Sequence, residues 1–284
     1  MWHAGGDAVR NYTCRDETCC PYPGFSISAE LDSSLERLPQ LTVRAGAAAG
    51  PADLLDEFLT PVHAPSEASQ RVVRRMVKTA AASESVEDEL TLWGEALSRG
   101  RGSEPSMWLH TAEEAAASML RTLARKRVRD ALVPLASVGY PAAVAGTLFH
   151  EELRRDPGAA RLEDGELWGR LAPRLPQGLD AQALDRLLQD YANCWLGATG
   201  SRPDWRGIEV LEALLKELLP YAEAEEREAA LTLKAWIEWV KGRSSVSSEA
   251  VDLIRREFGD SSDCTMAELV DRFSGFSAFP HGPA

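Results

Sequence analysis

From Pro51 onward, apolar residues recur at the spacing of amphipathic helices, and proline or glycine closes each segment after roughly 10 to 20 residues, near the usual helix length. Leu54, Leu55, Phe58 and Leu59 fall on one side of a first segment that Pro61 ends. Val72, Val73, Met76 and Val77 form one face of a helix over 66–82, with Arg71, Arg74, Arg75 and Lys78 around the remainder. Ser85 followed by Asp88 predicts a capped start for the segment carrying Leu90, Leu92, Trp93 and Leu97. Thr111-Ala112-Glu113-Glu114 reads as a capping box, and a long helix is expected from there to about Pro134. Farther on, Ile208, Leu211, Leu215, Leu218 and Leu219 make a single stripe. The next segment carries two: Leu233, Trp236, Ile237 and Val240 on one side, Leu231, Ala235 and Trp239 on another. A helix that is apolar on two sides must be covered on two sides, so this one is expected between neighbours in a stack.

The first fifty residues have another texture. Gly5, Gly6, Pro21, Pro23, Gly24, Gly46 and Gly50 break them up, and Ala8 to Thr13 is expected to be a strand. At the other end, Leu233 to Val240, a turn at Gly242, and a second helix through Ala250, Val251, Ile254 and Phe258 echo a tetratricopeptide hairpin, although the expected aromatic and small positions are mostly filled by other types. A second capping box is read at Thr265-Met266-Ala267-Glu268, and residues 274–284 read as a frayed tail. The expected architecture is mainly α: a helical bundle of about ten helices in antiparallel pairs, a tetratricopeptide-like C-terminal hairpin, and a small irregular or β N-terminal segment. The expected division is 1–62 for the cysteine-containing segment, which would be the remnant of an α/β domain, 63–273 for the helical domain with a linker at 98–106, and 274–284 for the tail.

Composition narrows the function classes. The chain has 284 residues, with 31 Lys+Arg against 44 Asp+Glu, a net charge of −13. Such a field repels a phosphate backbone, so nucleic acid is not an expected partner. No run approaches the roughly 20 apolar residues that span a bilayer, and the start lacks the basic and apolar blocks of a signal peptide. The chain reads as cytoplasmic, with no membrane association expected.

Enzyme motifs fail on inspection. His150-Glu151 opens like a zinc-protease helix, but Arg154 stands where the second histidine belongs. The sequence has no Gly-Lys pair of a phosphate loop and no Gly-x-Ser-x-Gly elbow. Basic residues cluster at Arg121, Arg125, Lys126, Arg127 and Arg129; they read as a solvated helix face or as a docking stripe for acidic residues, Glu223, Glu225, Glu226 and Glu228 of the chain itself among them. The tryptophans read as packing residues rather than a ligand cage.

Chemistry is confined to Cys14, Cys19 and Cys20, three of the five cysteines, within seven positions. Two thiolates separated by four residues, Cys14 and Cys19, can reach one zinc ion, with a fourth ligand required from His3, His63 or a distant helix. Buried structural thiols and a redox pair are the other readings. No cofactor other than zinc, and no catalytic residue, is indicated.

The same stretch carries a resemblance. Tyr12-x-Cys14-x4-Cys19-Cys20-Pro21-x2-Gly24, then Pro51-Ala52-Asp53-Leu54-Leu55 with Pro61, Val128-Arg129-Asp130, and Leu231-x3-Ala235-Trp236-x2-Trp239-x2-Gly242 resemble the actinobacterial domain-of-unknown-function family numbered 4192, in order and over nearly the whole chain. The resemblance brings no activity, cofactor or catalytic residue with it. It implies an α/β segment ahead of the Tyr-x-Cys motif, which this sequence lacks, so that the strand at Ala8 to Thr13 is expected to have lost its sheet neighbours. The reading as a whole favours a non-enzymatic protein-interaction or scaffold module, with a zinc-binding or thiol redox protein as the alternative.

Overall fold

The computed structural model describes the backbone of residues 2–5, 8–11 and 25–26, together with residues 50–61, 64–79, 85–101, 109, 112–161, 164–195, 203–259 and 270; side chains are described from residue 50 on, those of 160–164 excepted. Two compact units divide at Gly50 and Pro51. In the first, β1 (Trp2–Gly5), β2 (Ala8–Asn11) and β3 (Phe25–Ser26) form an antiparallel sheet in that order, with Trp2 opposite Asn11, Gly5 opposite Ala8, and Val9 opposite Phe25. Of the strand expected at Ala8 to Thr13, Ala8–Asn11 is present as β2, with neighbours on both sides rather than none; 12 and 13 lie outside the described residues. Cys14, Cys19, Cys20, His3 side-chain chemistry and His63 lie outside the described residues or side chains.

The second unit is helical. It contains α1 (Pro51–Leu59), α2 (Glu67–Thr79), α3 (Val86–Arg99), α4 (Glu113–Leu123), α5 (Lys126–Ser137), α6 (Tyr140–Arg155), α7 (Asp164–Leu171), α8 (Ala181–Trp195), α9 (Trp205–Leu218), α10 (Ala224–Val240) and α11 (Ser244–Phe258). The mainly-α bundle read from periodicity is the fold observed. Helix α1, grouped with the cysteine segment on sequence grounds, belongs to this unit: Leu55 and Phe58 are buried and α1 packs on α11. The linker expected at 98–106 begins as helix, since α3 runs through Arg99 and Gly100 closes it by donating to the Ala96 carbonyl; 102–106 lie outside the described residues.

Local rules explain most boundaries. Ser85 caps α3, its hydroxyl accepting from the Asp88 amide at 3.3 Å, as its position predicts. Ser66 does the same for α2 through the Ser69 amide. The long helix expected from Thr111 to Pro134 is instead two. Arg125 adopts an extended conformation (φ −79, ψ 115) between α4 and α5, so α4 packs on α2 while α5 packs on α6. Nothing in the local sequence forbids a continuous helix there; the break is set by where the two apolar faces find cover. Pro134 lies inside α5 rather than ending it, at the cost of one backbone hydrogen bond. The start of α4 carries no side-chain cap, its N-cap being Ala112, and Thr111 and Thr265 lie outside the described residues.

At the centre stands α10. Every residue from Ala229 to Val240 is buried, which is the two-sided cover that its two stripes demand. Helix α11 packs along one side more extensively than any other helix pair, and α4, α5 and α9 supply further neighbours. The hairpin between α10 and α11 closes as a Schellman turn: Arg243 donates to the Glu238 carbonyl at 2.8 Å, Gly242 donates to Trp239 at 2.9 Å, and Gly242 takes a left-handed φ of +76. Ser247 of α11 fastens the pair by donating its hydroxyl to the Ala235 carbonyl at 2.8 Å. No helix among the described residues is long and apolar enough to cross a membrane.

Candidate functional site, a charged cleft over a buried lysine

Helix α10 buries three polar side chains along with its apolar ones: Thr232, Lys234 and Glu238. Thr232 returns its hydroxyl to the Glu228 carbonyl one turn back. Lys234 and Glu238 stand at i and i+4, hence on one face, and Lys241 at i+7 continues it. That face looks into a cleft of about 370 Å³ within the helical unit. Helix α9 supplies a second wall through Glu209, Glu212, Ala213 and Lys216, again one face at i, i+3, i+4 and i+7, and α1 supplies the third through Leu54, Glu57 and Phe58.

At the base, the Lys234 ammonium is held by three groups. It bonds Glu212, bonds Glu238 at 2.5 Å, and lies 4.7 Å from the centre of the Phe58 ring. Lys241 takes the other oxygen of Glu212. Glu238 is wholly buried and is ion-paired with Arg243, which donates from Nη2 to Oε1 at 2.9 Å and brings Nε within 2.6 Å of Oε2, an oxygen that accepts no hydrogen bond among the described residues. Burial would push the Glu212 carboxyl up, but the charges of Lys234 and Lys241 outweigh it and hold the group well down, at about 2. The base is thus a five-membered chain of alternating charge, Lys241, Glu212, Lys234, Glu238 and Arg243. Buried ions are tolerable only when paired and hydrogen-bonded in this way.

Above the base, the lining holds Glu57, Glu209 and Lys216. Glu209 is engaged by Arg206 at 3.4 Å. Among the described residues, Glu57 and Lys216 have no hydrogen-bond or ion-pair partner.

The basic cluster read from the sequence is largely consumed inside the fold. Arg125 and Arg127 both bond Glu89, which is 2% exposed; Arg127 reaches Glu151 at 3.4 Å; Glu151 meets Arg174 at 2.9 Å, and Arg174 grips Glu87 at 2.7 and 2.9 Å. Arg129 is buried and pairs with Asp130. Among the described residues, the acidic partners that this cluster meets are Glu89, Glu151 and Asp130. In the group at 223–228, Glu223 meets Lys78, and Glu223 and Glu226 form the capping box of α10. Glu87 is further held below its usual range, because the Arg174 bonds overcome its burial.

Among the described residues no three His, Cys, Asp or Glu side chains stand together as metal ligands. The cysteine trio proposed for zinc lies outside them. Cys194 is fully buried, donates to the Tyr191 carbonyl, and has its thiol pushed up to about 12 by burial, so it is a packing residue and a poor nucleophile. His150 faces Tyr191 with ring centres 5.5 Å apart, and Glu151 beside it belongs to the arginine network.

Sequence reasoning passed over the cleft. Its signal was present: Lys234 and Glu238 interrupt an otherwise apolar run at helical spacing, and Glu212 and Lys216 repeat that spacing one helix earlier. Only the packing of α1, α9 and α10 brings the three faces together. In comparison with known proteins, no family model, no curated protein and no solved structure matches the chain.

Proposed function

We propose that the chain is a non-enzymatic interaction module of the cytoplasm, a helical scaffold whose cleft face engages another protein. The observation that carries this reading is the cleft itself, whose charges are fixed in place by a central helix buried along its last twelve residues. Prefixed charges favour recognition, because the partner meets an electrostatic pattern that needs no reordering on binding. The titratable groups at the base are committed to one another: Lys234 spends its donors on two carboxylates, and Glu212 is kept ionised. Such groups hold position rather than move protons. The net charge of −13 favours a protein over a polyanion as partner.

Native pull-down with mass spectrometry tests the reading, using the wild-type chain and a Lys216→Glu variant. The expected outcome is a protein retained by the wild type and reduced with the variant. Recovery of the chain alone, at low and moderate salt, overturns it.

A further inference from the structure

We propose that the cleft recognises a pair of opposite charges carried close together on a partner polypeptide, Lys216 receiving the carboxylate and Glu57 the ammonium or guanidinium. The inference rests on the reading of the chain as an interaction module and names the feature that the cleft selects.

The cleft is lined by four acids, Glu57, Glu209, Glu212 and Glu238, and by four bases, Lys216, Lys234, Lys241 and Arg243. Glu212 is bonded by Lys234 and Lys241, Glu238 is ion-paired with Lys234 and Arg243 although its Oε2 accepts no hydrogen bond among the described residues, and Glu209 is engaged by Arg206. Subtracting these leaves one side chain of each sign. Lys216 and Glu57 have no partner among the described residues, and no bond joins them to each other. They stand on different helices, α9 and α1. The position of Lys216 in the last turn of α9 suits the helix dipole, which explains its sign and leaves its three donors unused.

A ligand of single charge would meet one of these groups favourably and the other with repulsion. A ligand carrying both signs meets both favourably, and the discrimination comes as much from the repulsion as from the attraction. About 370 Å³ lies at the lower end of ligand-site volumes and takes two or three side chains of a peptide, not a folded element. Leu54, half-buried on the α1 wall, gives the methylene stems of such side chains an apolar surface to lie on.

The test uses the full chain and an end-capped peptide, acetyl-Lys-Gly-Glu-amide, with two comparators in which glutamine replaces the lysine or the glutamate. Binding is read from amide shifts in two-dimensional NMR. The expected result is a dissociation constant on the order of millimolar for the zwitterionic peptide, with shifts centred on α1 and α9, and at least about threefold weaker binding of each comparator. Lys216→Glu and Glu57→Lys should each abolish the preference, and the double variant should restore it, with circular dichroism showing all three folded. Equal binding of the three peptides, shifts away from the cleft, or a double variant that stays inactive overturns the proposal. A partner captured in pull-down whose retention falls with Lys216→Glu but not with Glu57→Lys sinks this inference, which needs both signs, and leaves the interaction reading standing. Peptide binding with no partner ever captured does the reverse.

Discussion

Lys234 shows how one residue can organise a site. Its side chain is 4% exposed, and removing it strips one of two partners from each of Glu212 and Glu238. Breaking a buried pair from one side costs more than deleting it from both, because the remaining charge stays desolvated. Lys234→Met is therefore expected to destabilise the helical unit by about 3 kcal/mol, and Lys234→Met with Glu238→Leu by less than the sum of the two single changes. Urea unfolding of the four proteins in the cycle measures this; additive losses would show that the two side chains do not act as a pair. The lysine was readable as an anomaly in an apolar run, and so was Glu238 one turn on, yet its other partners were not. Glu212 sits twenty-two positions away on another helix, and Phe58 much farther. Periodicity reports which face a residue occupies, and says nothing of what that face meets.

At the scale of elements, the sequence was most informative where a local rule acts alone. The Ser85 cap, the end of α1 before Pro61, the two-sided burial of α10 and the turn at Gly242 follow from hydroxyl acceptors, ring constraints, apolar area and a positive φ respectively. It failed at Arg125 and Pro134, where tertiary cover overrides a continuous pattern. Two glycines separate these regimes. Gly242 is left-handed with open space around it, so alanine there suffers only backbone strain, about 1 kcal/mol. Gly207 has no unusual φ, but a β-carbon on it would stand 2.2 Å from the Ala136 carbonyl oxygen, where α9 crosses the end of α5. Alanine at Gly207 must push two backbones apart and should cost more than at Gly242, roughly 2 to 3 kcal/mol. Thermal melts of the two variants rank them. A Gly207→Ala protein as stable as Gly242→Ala would mean that the α5–α9 crossing yields easily, and that the asymmetry between conformational and steric glycines does not hold in this fold.

Over the whole helical unit, ion pairs run through places that apolar packing alone would serve, and this sets how stability depends on pH. Glu212 is depressed to about 2 from an ordinary 4.5, and Glu87 and Glu257 are also lowered, Glu257 by its bonds to Arg227. A carboxyl that holds its proton less readily when folded than when unfolded stabilises the fold fully above the unfolded value and loses that contribution as pH falls toward the folded one. Acid loss of stability is thus expected to begin near pH 4.5 and to continue down to about 2, with Glu212 the steepest contributor. The net charge acts differently on the two sides of the isoelectric region near 4.9: from neutrality down to it the self-repulsion of the −13 chain fades, and below it the growing positive charge adds to the acid loss. Calorimetry from pH 7 to 2 on the wild type and Glu212→Gln separates the two effects. The variant should be less stable at pH 7, since Lys234 and Lys241 lose their shared anion, and it should show a shallower fall below pH 4.5, since the group that takes up the proton is gone. Parallel acid limbs in the two proteins would place the proton uptake elsewhere and remove Glu212 from its position as the electrostatic keystone of the cleft.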